Sequence, residues 1–303
     1  MKKLFSVLLV LAIAMALCAP AMAENFNIAI NLKTLSSEYW QTVKSGCDQA
    51  AEELGVTIDV QGPSAESAIQ EQVDQIETML SGNPDAIIIA PDDGDAVIGA
   101  LVNSGYTGPV FFCDTDCAYE AKVSFIGTSN QVAAYEGGVY GVGVNGENTK
   151  ALIIYGQEGD NTSNLRKAGY EQALAEAGLE PVAEVSGNNT TDGATKVMEN
   201  QLIANPDINL VLCHNDDTAI GALNACIAAG VTGVTIIGFD GNTSAIELIS
   251  SGDLKATIAQ QPKLMGYLSV EAALKVLNGE EVDPNIVVST VIIDSENCAE
   301  YLG

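Results

Sequence analysis

Positive charge and histidine are what this sequence has least of. It holds one His, His214, and 12 Lys and Arg against 40 Asp and Glu, a formal net charge of −28. Such a chain repels phosphate backbones, which argues against nucleic acid as a partner, and its charge reads as a soluble acidic surface. Zinc sites need clustered His and Cys. The one close Cys pair, Cys113-x-x-x-Cys117, has no second pair to complete it, so no metal is expected. There is no nucleophile elbow and no phosphate loop ending in Gly-Lys-Ser/Thr, so neither catalysis nor a cofactor is expected. Long apolar runs are missing except at residues 4–17, interrupted only by Ser6. Lys2 and Lys3 precede that run and Ala21-Met22-Ala23 follows it, the layout of a secretory signal peptide cleaved after Ala23. It falls short of the roughly 20 apolar residues of a bilayer span, and Leu17 is not the small residue that precedes a lipid-modified Cys at position 18. The expected location is therefore outside the cytoplasm: periplasmic, secreted or at the cell surface.

Six cysteines lie beyond the leader. Cys47, Cys213 and Cys226 fall on apolar faces, where a thiol behaves as a small hydrophobe. Core thiols are expected rather than a disulfide framework, although export permits oxidation.

What is abundant is a repeated alternation. Short Val- and Ile-rich runs at 26–32, 56–60, 86–90, 110–113 and 123–126, then 150–155, 182–186, 210–213, 234–239 and 256–259, barely alternate in polarity. That is the pattern of strands buried on both faces of a parallel sheet. Helical spacing fills the gaps: Val43, Cys47, Ala50, Ala51 and Leu54 share one face, as do Ile69, Val73, Ile76 and Leu80. Further helices are expected at about 131–145, 164–177, 192–204, 217–229, 243–251 and 263–278. Strand-then-helix repetition predicts an α/β fold with right-handed crossovers. The strands are too many for one open sheet of ordinary width, and residues 24–303 exceed one compact core. Two doubly wound, Rossmann-like lobes follow, and without a Pro/Ser-rich linker they are expected to be joined by single crossings. Gly141-Val-Gly143-Val-Asn-Gly146 matches a dinucleotide fingerprint, but it falls near a helix end rather than in a strand-to-helix turn, so it reads as close packing.

Ligands of open α/β sheets lie beyond the carboxyl ends of the strands. There the sequence places Ser37, Tyr39 and Trp40 after the first strand, Asp114 and Thr115 after the fourth, His214 and Asn215 after the eighth, Asp240 after the ninth and Gln260 after the tenth. Carboxylates and carboxamides engage neighbouring hydroxyls through two atoms at once, and a flat ring covers the C–H face of a sugar. Asp and Asn also cap helices, so each alone reads as a cap; five such ends converging on one crevice read as a ligand site. Lys33 and His214 are left open.

Ser36-Ser37-Glu38-Tyr39-Trp40, Ile89-Ala90-Pro91, His214-Asn215-Asp216, Gly238-Phe239-Asp240-Gly241 and Ala256-Thr257-Ile258-Ala259-Gln260 resemble the periplasmic sugar-binding proteins of the ribose/galactose type, across nearly all of 25–290. Their fold, periplasmic binding protein type I, is shared with the ligand domains of lactose-repressor-like regulators; here a leader stands where a regulator's DNA-binding helices would be. The resemblance implies two lobes joined by three crossings, hinge closure, no catalysis, and delivery of a small neutral sugar or polyol by a monomer to an ABC permease. It implies Asp114, Asn215, Asp240 and Gln260 as the polar set and Tyr39 and Trp40 as the stacking rings. Thr115 stands where ribose binders have Arg, and Asn164 is the counterpart of a second Arg, with Arg166 reading as structural. Ser37 and Ala90 replace Asn, and a polar stretch near Asn189 replaces a third aromatic. Without both Arg the pattern points away from ribose, toward another sugar or a polyol. A ligand-presenting sensor and a binder of nucleosides or signalling furanones remain alternatives. The expected lobes are 24–127 plus 261–288, and 128–259 plus 289–303.

Overall fold

The computed structural model describes residues 26–302; the expected leader, 1–23, lies outside the described residues. The first run of elements is β1 (Asn27–Asn31), α1 (Glu38–Leu54), β2 (Thr57–Gln61), α2 (Ile69–Ser81), β3 (Ala86–Ile89), α3 (Gly94–Ser104), β4 (Val110–Cys113) and β5 (Ser124–Gly127). The second is α4 (Asn130–Asn145), β6 (Ala151–Tyr155), α5 (Asn161–Glu176), β7 (Ala183–Ser186), α6 (Thr191–Ala204), β8 (Leu210–Cys213), α7 (Asp216–Ala229), β9 (Thr235–Asp240), α8 (Thr243–Ser251) and β10 (Ala256–Ala259). Then follow α9 (Pro262–Leu277), β11 (Asn285–Val287) and β12 (Val291–Asp294).

The strands form two sheets with one plan. The first is ordered β2-β1-β3-β4-β5-β11 and is parallel throughout. The second is ordered β7-β6-β8-β9-β10-β12, parallel except that β12 runs antiparallel to β10. In each, strand order reverses at its own first strand, which opens a crevice between β1 and β3 and another between β6 and β8. The chain passes between sheets three times: between β5 and α4, between β10 and α9, and between β11 and β12.

Both sheets are covered on two faces, which is why the strands do not alternate in polarity. Ile28, Ile30, Ile88 and Phe111 enter one core beneath α1 and α9, while Ala29, Ile87, Ile89 and Phe112 enter another beneath α2 and α3. The second sheet divides likewise, with Ile154 and Val211 on one side and Ile153 and Leu212 on the other. Where α1 crosses α9 the backbones touch: a Cβ on Gly46 would lie 1.9 Å from the Lys263 carbonyl oxygen. The glycine-rich stretch of α4 is packing at Gly141, whose Cβ position would be 3.0 Å from Leu210, and open surface at Gly143. The six described cysteines are free thiols, all buried except the partly exposed Cys117.

Three elements escape the sequence pattern. Helix α3 is capped by Asp93, which accepts from the Ala96 N–H at 2.8 Å, and ends on Gly105 in the left-handed region. Strands β11 and β12 are edge strands of three and four residues that follow one another with no helix between them, so the strand-then-helix alternation does not mark them, and they keep exposed positions despite their Val and Ile residues.

Candidate functional site

The carboxyl ends of the two sheets face each other, and between them lies a cavity of about 30 Å³. From the first lobe it is lined by Lys33, Ser37, Tyr39, Trp40, Glu66 and Asp114, and from the second by Thr162, Arg166, His214, Asn215, Asp217 and Asp240.

Each side chain arrives there for a local reason. Ser37 caps α1, accepting from the Trp40 N–H at 3.4 Å, which sets Tyr39 and Trp40 on the first turn. The two rings meet edge to face, 5.1 Å between centroids. The Tyr39 hydroxyl donates to Asp114 Oδ2 at 2.5 Å, and burial, then Asp114, raises its pKa well above the usual tyrosine value. Asp114 and Asp240 both follow a strand and both hold a positive φ, 65° and 119°. Neither caps a helix, and backbone strain at such positions is the kind a binding site retains.

Asp240 is held from several sides. Gln260 Nε2 donates to its Oδ1 at 2.8 Å, and Arg166 Nη1 lies 3.4 Å from the same oxygen. Burial pushes its carboxyl well above the ordinary range, against the pull of Arg166. Arg166 is itself fixed by Asn130 Oδ1 and the His214 carbonyl, each at 2.8 Å, and lies over the Phe239 ring at 3.7 Å. His214 is buried, its Nδ1 has no hydrogen-bond partner among the described residues, and burial, then Arg166 and Lys33, holds its pKa well below the usual imidazole value.

The lobes also bond directly to each other. Lys33 Nζ donates to Asp160 Oδ2 at 2.9 Å, a pair in which both side chains are buried. Burial opposes the ammonium, but Asp160, Glu66, Asp114 and Asp92 outweigh it and its pKa is raised. Glu66 accepts from the Trp40 indole N–H at 2.8 Å and from Asn189 Nδ2 at 2.6 Å. Glu38 accepts from the Thr243 N–H at 2.7 Å, and the Thr115 and Thr162 hydroxyls are 2.9 Å apart.

Of the residues singled out from sequence, Ser37, Tyr39, Trp40, Asp114, Asn215 and Asp240 line the cavity. Asn215 is also a helix cap, in a reciprocal box with Thr218 at the start of α7. Thr115 and Gln260 stand behind the lining: Thr115 donates to Asp114 Oδ1 at 2.8 Å, and Gln260 braces Asp240 while accepting from Thr128 at 2.6 Å. Asn164 is a correction. It is exposed on α5, and Arg166 lines the cavity instead. Two residues apart on a helix is about 200° of rotation, so both side chains cannot face the cleft. Glu66, Thr162 and Asp217 were not singled out. Each nonetheless lies beyond a strand end, Glu66 after β2, Thr162 after β6 and Asp217 after β8, so applying the strand-end rule to every strand finds them.

A family model for a periplasmic binding protein domain matches residues 28–281. The chain is 30% identical over 297 residues to the ribose import binding protein of Escherichia coli K12, covering 97% of this chain and 98% of that protein. An ABC transporter periplasmic solute binding protein from Actinobacillus succinogenes 130z, solved with bound D-allose, matches with a TM-score of 0.84 at 31% identity, covering 91% of this chain and 99% of that one. The Caulobacter myo-inositol binding protein bound to myo-inositol matches with a TM-score of 0.83 at 26% identity, covering 92% and 96%.

Proposed function

The chain belongs to the periplasmic binding protein family, and from that premise we propose that it captures a small, neutral, polyhydroxylated molecule, a sugar or polyol, between its lobes and delivers it to an ABC importer. It does so outside the cytoplasm, as a monomer, after loss of residues 1–23, and without chemical change to the ligand. The observation that carries the reading is the pairing of Asp114 and Asp240, one from each sheet end, with the Tyr39 and Trp40 rings in one buried cavity. A carboxylate accepts from adjacent hydroxyls through two oxygens, and a ring presents an apolar face to the C–H side of the same molecule.

Charge decides against an anionic ligand. The cavity holds four carboxylates, Glu66, Asp114, Asp217 and Asp240, against Lys33 and Arg166. Both cations are already engaged, Lys33 by Asp160 and Arg166 by Asn130, Asp240 and the His214 carbonyl. A buried ligand charge would stand without a free partner of opposite sign. Asp114, Asn215 and Asp240 take the ligand hydroxyls, Tyr39 and Trp40 its apolar face, and Gln260 and Thr115 hold the carboxylates in place.

A thermal-shift panel of sugars, polyols and nucleosides tests this, followed by calorimetry on the hits. Binding is also readable from emission, because Trp40 is the one Trp in the chain and lines the cavity. A neutral sugar or polyol that raises the melting temperature and alters Trp40 emission is the expected result. Stabilisation by nucleosides alone, or by no polyhydroxylated compound, overturns it.

A further inference from the structure

Beyond the cavity that holds Asp114 and Asp240, the cleft continues into an outer chamber of about 320 Å³, also bounded by both lobes. The two chambers share three wall residues, Ser37, Glu66 and Asp217. The half-buried Glu66 is the partition: its carboxylate joins the Trp40 indole N–H of one lobe to Asn189 of the other. Asn189 in turn accepts, through its carbonyl, from Asn215 Nδ2 at 3.3 Å, so the partition is tied to the inner site.

The outer walls are of one chemical kind. They are lined by Thr34, Ser36 and Ser67 from the first lobe and Asn188, Thr190 and Thr191 from the second, the Thr34 hydroxyl donating to the Pro63 carbonyl and the Thr190 hydroxyl capping α6. Among the described residues that line it there is no Lys, no Arg and no aromatic ring, while Glu38, Glu66 and Asp217 supply three carboxylates. Burial, then Glu66 and Glu38, raises the pKa of Asp217. A phosphate placed there meets negative charge with no cation to offset it, and an apolar group meets only polar partners. A hydroxylated neutral group meets acceptors and donors on both sides.

We infer that the outer chamber is a second subsite, which takes a neutral hydroxylated substituent carried on the ligand, a glyceryl group or a second sugar ring, with Glu66 as its hydrogen-bonding partition. The inference rests on the sugar or polyol reading of the inner cavity and extends it from a single ring to a glycoside.

Calorimetry on the full mature chain tests it, with ribose, allose and galactose as free sugars, as glyceryl ethers at the first or last hydroxyl, and as the corresponding phosphates. At least one glyceryl derivative is expected to bind within about tenfold of its free sugar or more tightly, while the matching phosphate binds about a hundredfold more weakly. Ser67 lies on an exposed turn and lines the outer chamber but not the inner one, so Ser67→Trp is the variant that should occlude the outer chamber alone. It is expected to weaken the glyceryl derivative by about tenfold while changing the free sugar by less than about twofold. If free sugars bind and every glyceryl derivative loses more than about a hundredfold, the second subsite is refuted and the inner-site reading stands. If Ser67→Trp leaves the glyceryl derivative unaffected, the subsite is refuted too. If neither free nor substituted sugars bind, the inference falls together with the reading beneath it.

Discussion

The Lys33–Asp160 pair spans the cleft, so it exists only when the lobes are together, and Asp160→Asn isolates its contribution. Asp160 has two jobs. Its Oδ1 caps α5 by accepting from the Thr162 N–H at 2.9 Å, and its Oδ2 takes the Lys33 ammonium at 2.9 Å. Asn caps a helix as well as Asp does, so the substitution spares the first job and removes the second. It leaves a buried ammonium without its nearest counter-charge. Breaking a buried pair from one side costs about 3–5 kcal/mol. Here Glu66 and Asp114 still lie near Lys33, so we take a reduced cost of about 2 kcal/mol. The open form, with both groups in water, escapes it. Ligand closes the lobes against that cost, so affinity falls by roughly 30-fold. Asp160 does not line the cavity, so the loss does not come from a ligand contact. The assay is calorimetry on parent and variant with the tightest ligand from the panel, at low and high salt, since a buried pair is little screened. An affinity within about twofold of the parent, or a loss that vanishes with added salt, refutes the reasoning.

Asp240→Ala is expected to cost about 1–3 kcal/mol in ligand binding, roughly 5- to 150-fold in Kd, because it removes an acceptor and leaves Arg166 and Gln260 facing a gap; unchanged affinity by calorimetry removes Asp240 from the site. Asp92 is buried with both carboxyl oxygens unpartnered among the described residues, and burial pushes it up to about 9. A carboxyl raised in the folded state favours folding below its unfolded value, and that contribution is lost as pH rises toward the folded one. Asp92→Asn should therefore raise the melting temperature increasingly from roughly pH 4 upward and leave it unchanged at lower pH; a pH-independent difference contradicts the assignment. Gly46→Ala should destabilise by several kcal/mol or prevent folding, its Cβ meeting backbone at 1.9 Å, whereas Gly143→Ala, facing open space inside α4, should gain about 0.5–1 kcal/mol in chemical denaturation.

Among the described residues ten of the twelve strands were legible: the eight inner ones are apolar runs largely buried on both faces, a signal that needs no partner to be read, while β2 and β7 are partly buried edge strands found from their place in the strand-then-helix alternation. The two that were not, β11 and β12, are strands only because an edge is there to pair with, β5 and β10 respectively. Their residues carry no burial pattern of their own. The site divides along the same line. Asp114 and Asp240 were legible since strand ends place them. Asn164 and Arg166 show the limit: both belong to the first turns of α5, and only the rotation of that helix about its axis tells which one faces the cleft. A helix whose apolar face is weakly marked does not reveal that rotation in sequence. Glu66 marks a different limit: a strand end places it, but nothing local shows what it does. Its role depends on Trp40 and Asn189, 26 and 123 residues away, meeting across the cleft.

The distribution of cores bears on how affinity is set. Each sheet is filled on both faces by its own helices, with one pair of cores around the first sheet and another around the second. Two separately packed bodies joined by three short passages can rotate without disturbing either interior. The bonds that span the cleft are then made on closing and lost on opening: Lys33 to Asp160, Glu66 to Asn189, Glu38 to Thr243 and Ser244, Thr115 to Thr162, and Asn161 to the Asp116 carbonyl. A ligand shifts the equilibrium only by what it gains in the closed form over the open one, and these bonds add to that difference, partly through residues such as Asp160, Thr115 and Thr243 that line neither chamber of the cleft. Affinity in this chain is therefore set in part by residues outside the ligand's reach, and selectivity by the residues that line the cavity. Substitutions at Asp160 should shift the Kd of every ligand by a common factor, whereas substitutions at Asp240 or Trp40 should change the order in which ligands bind. A panel of three or more ligands measured against Asp160→Asn and Asp240→Ala separates the two, and a reordered series in Asp160→Asn contradicts the division.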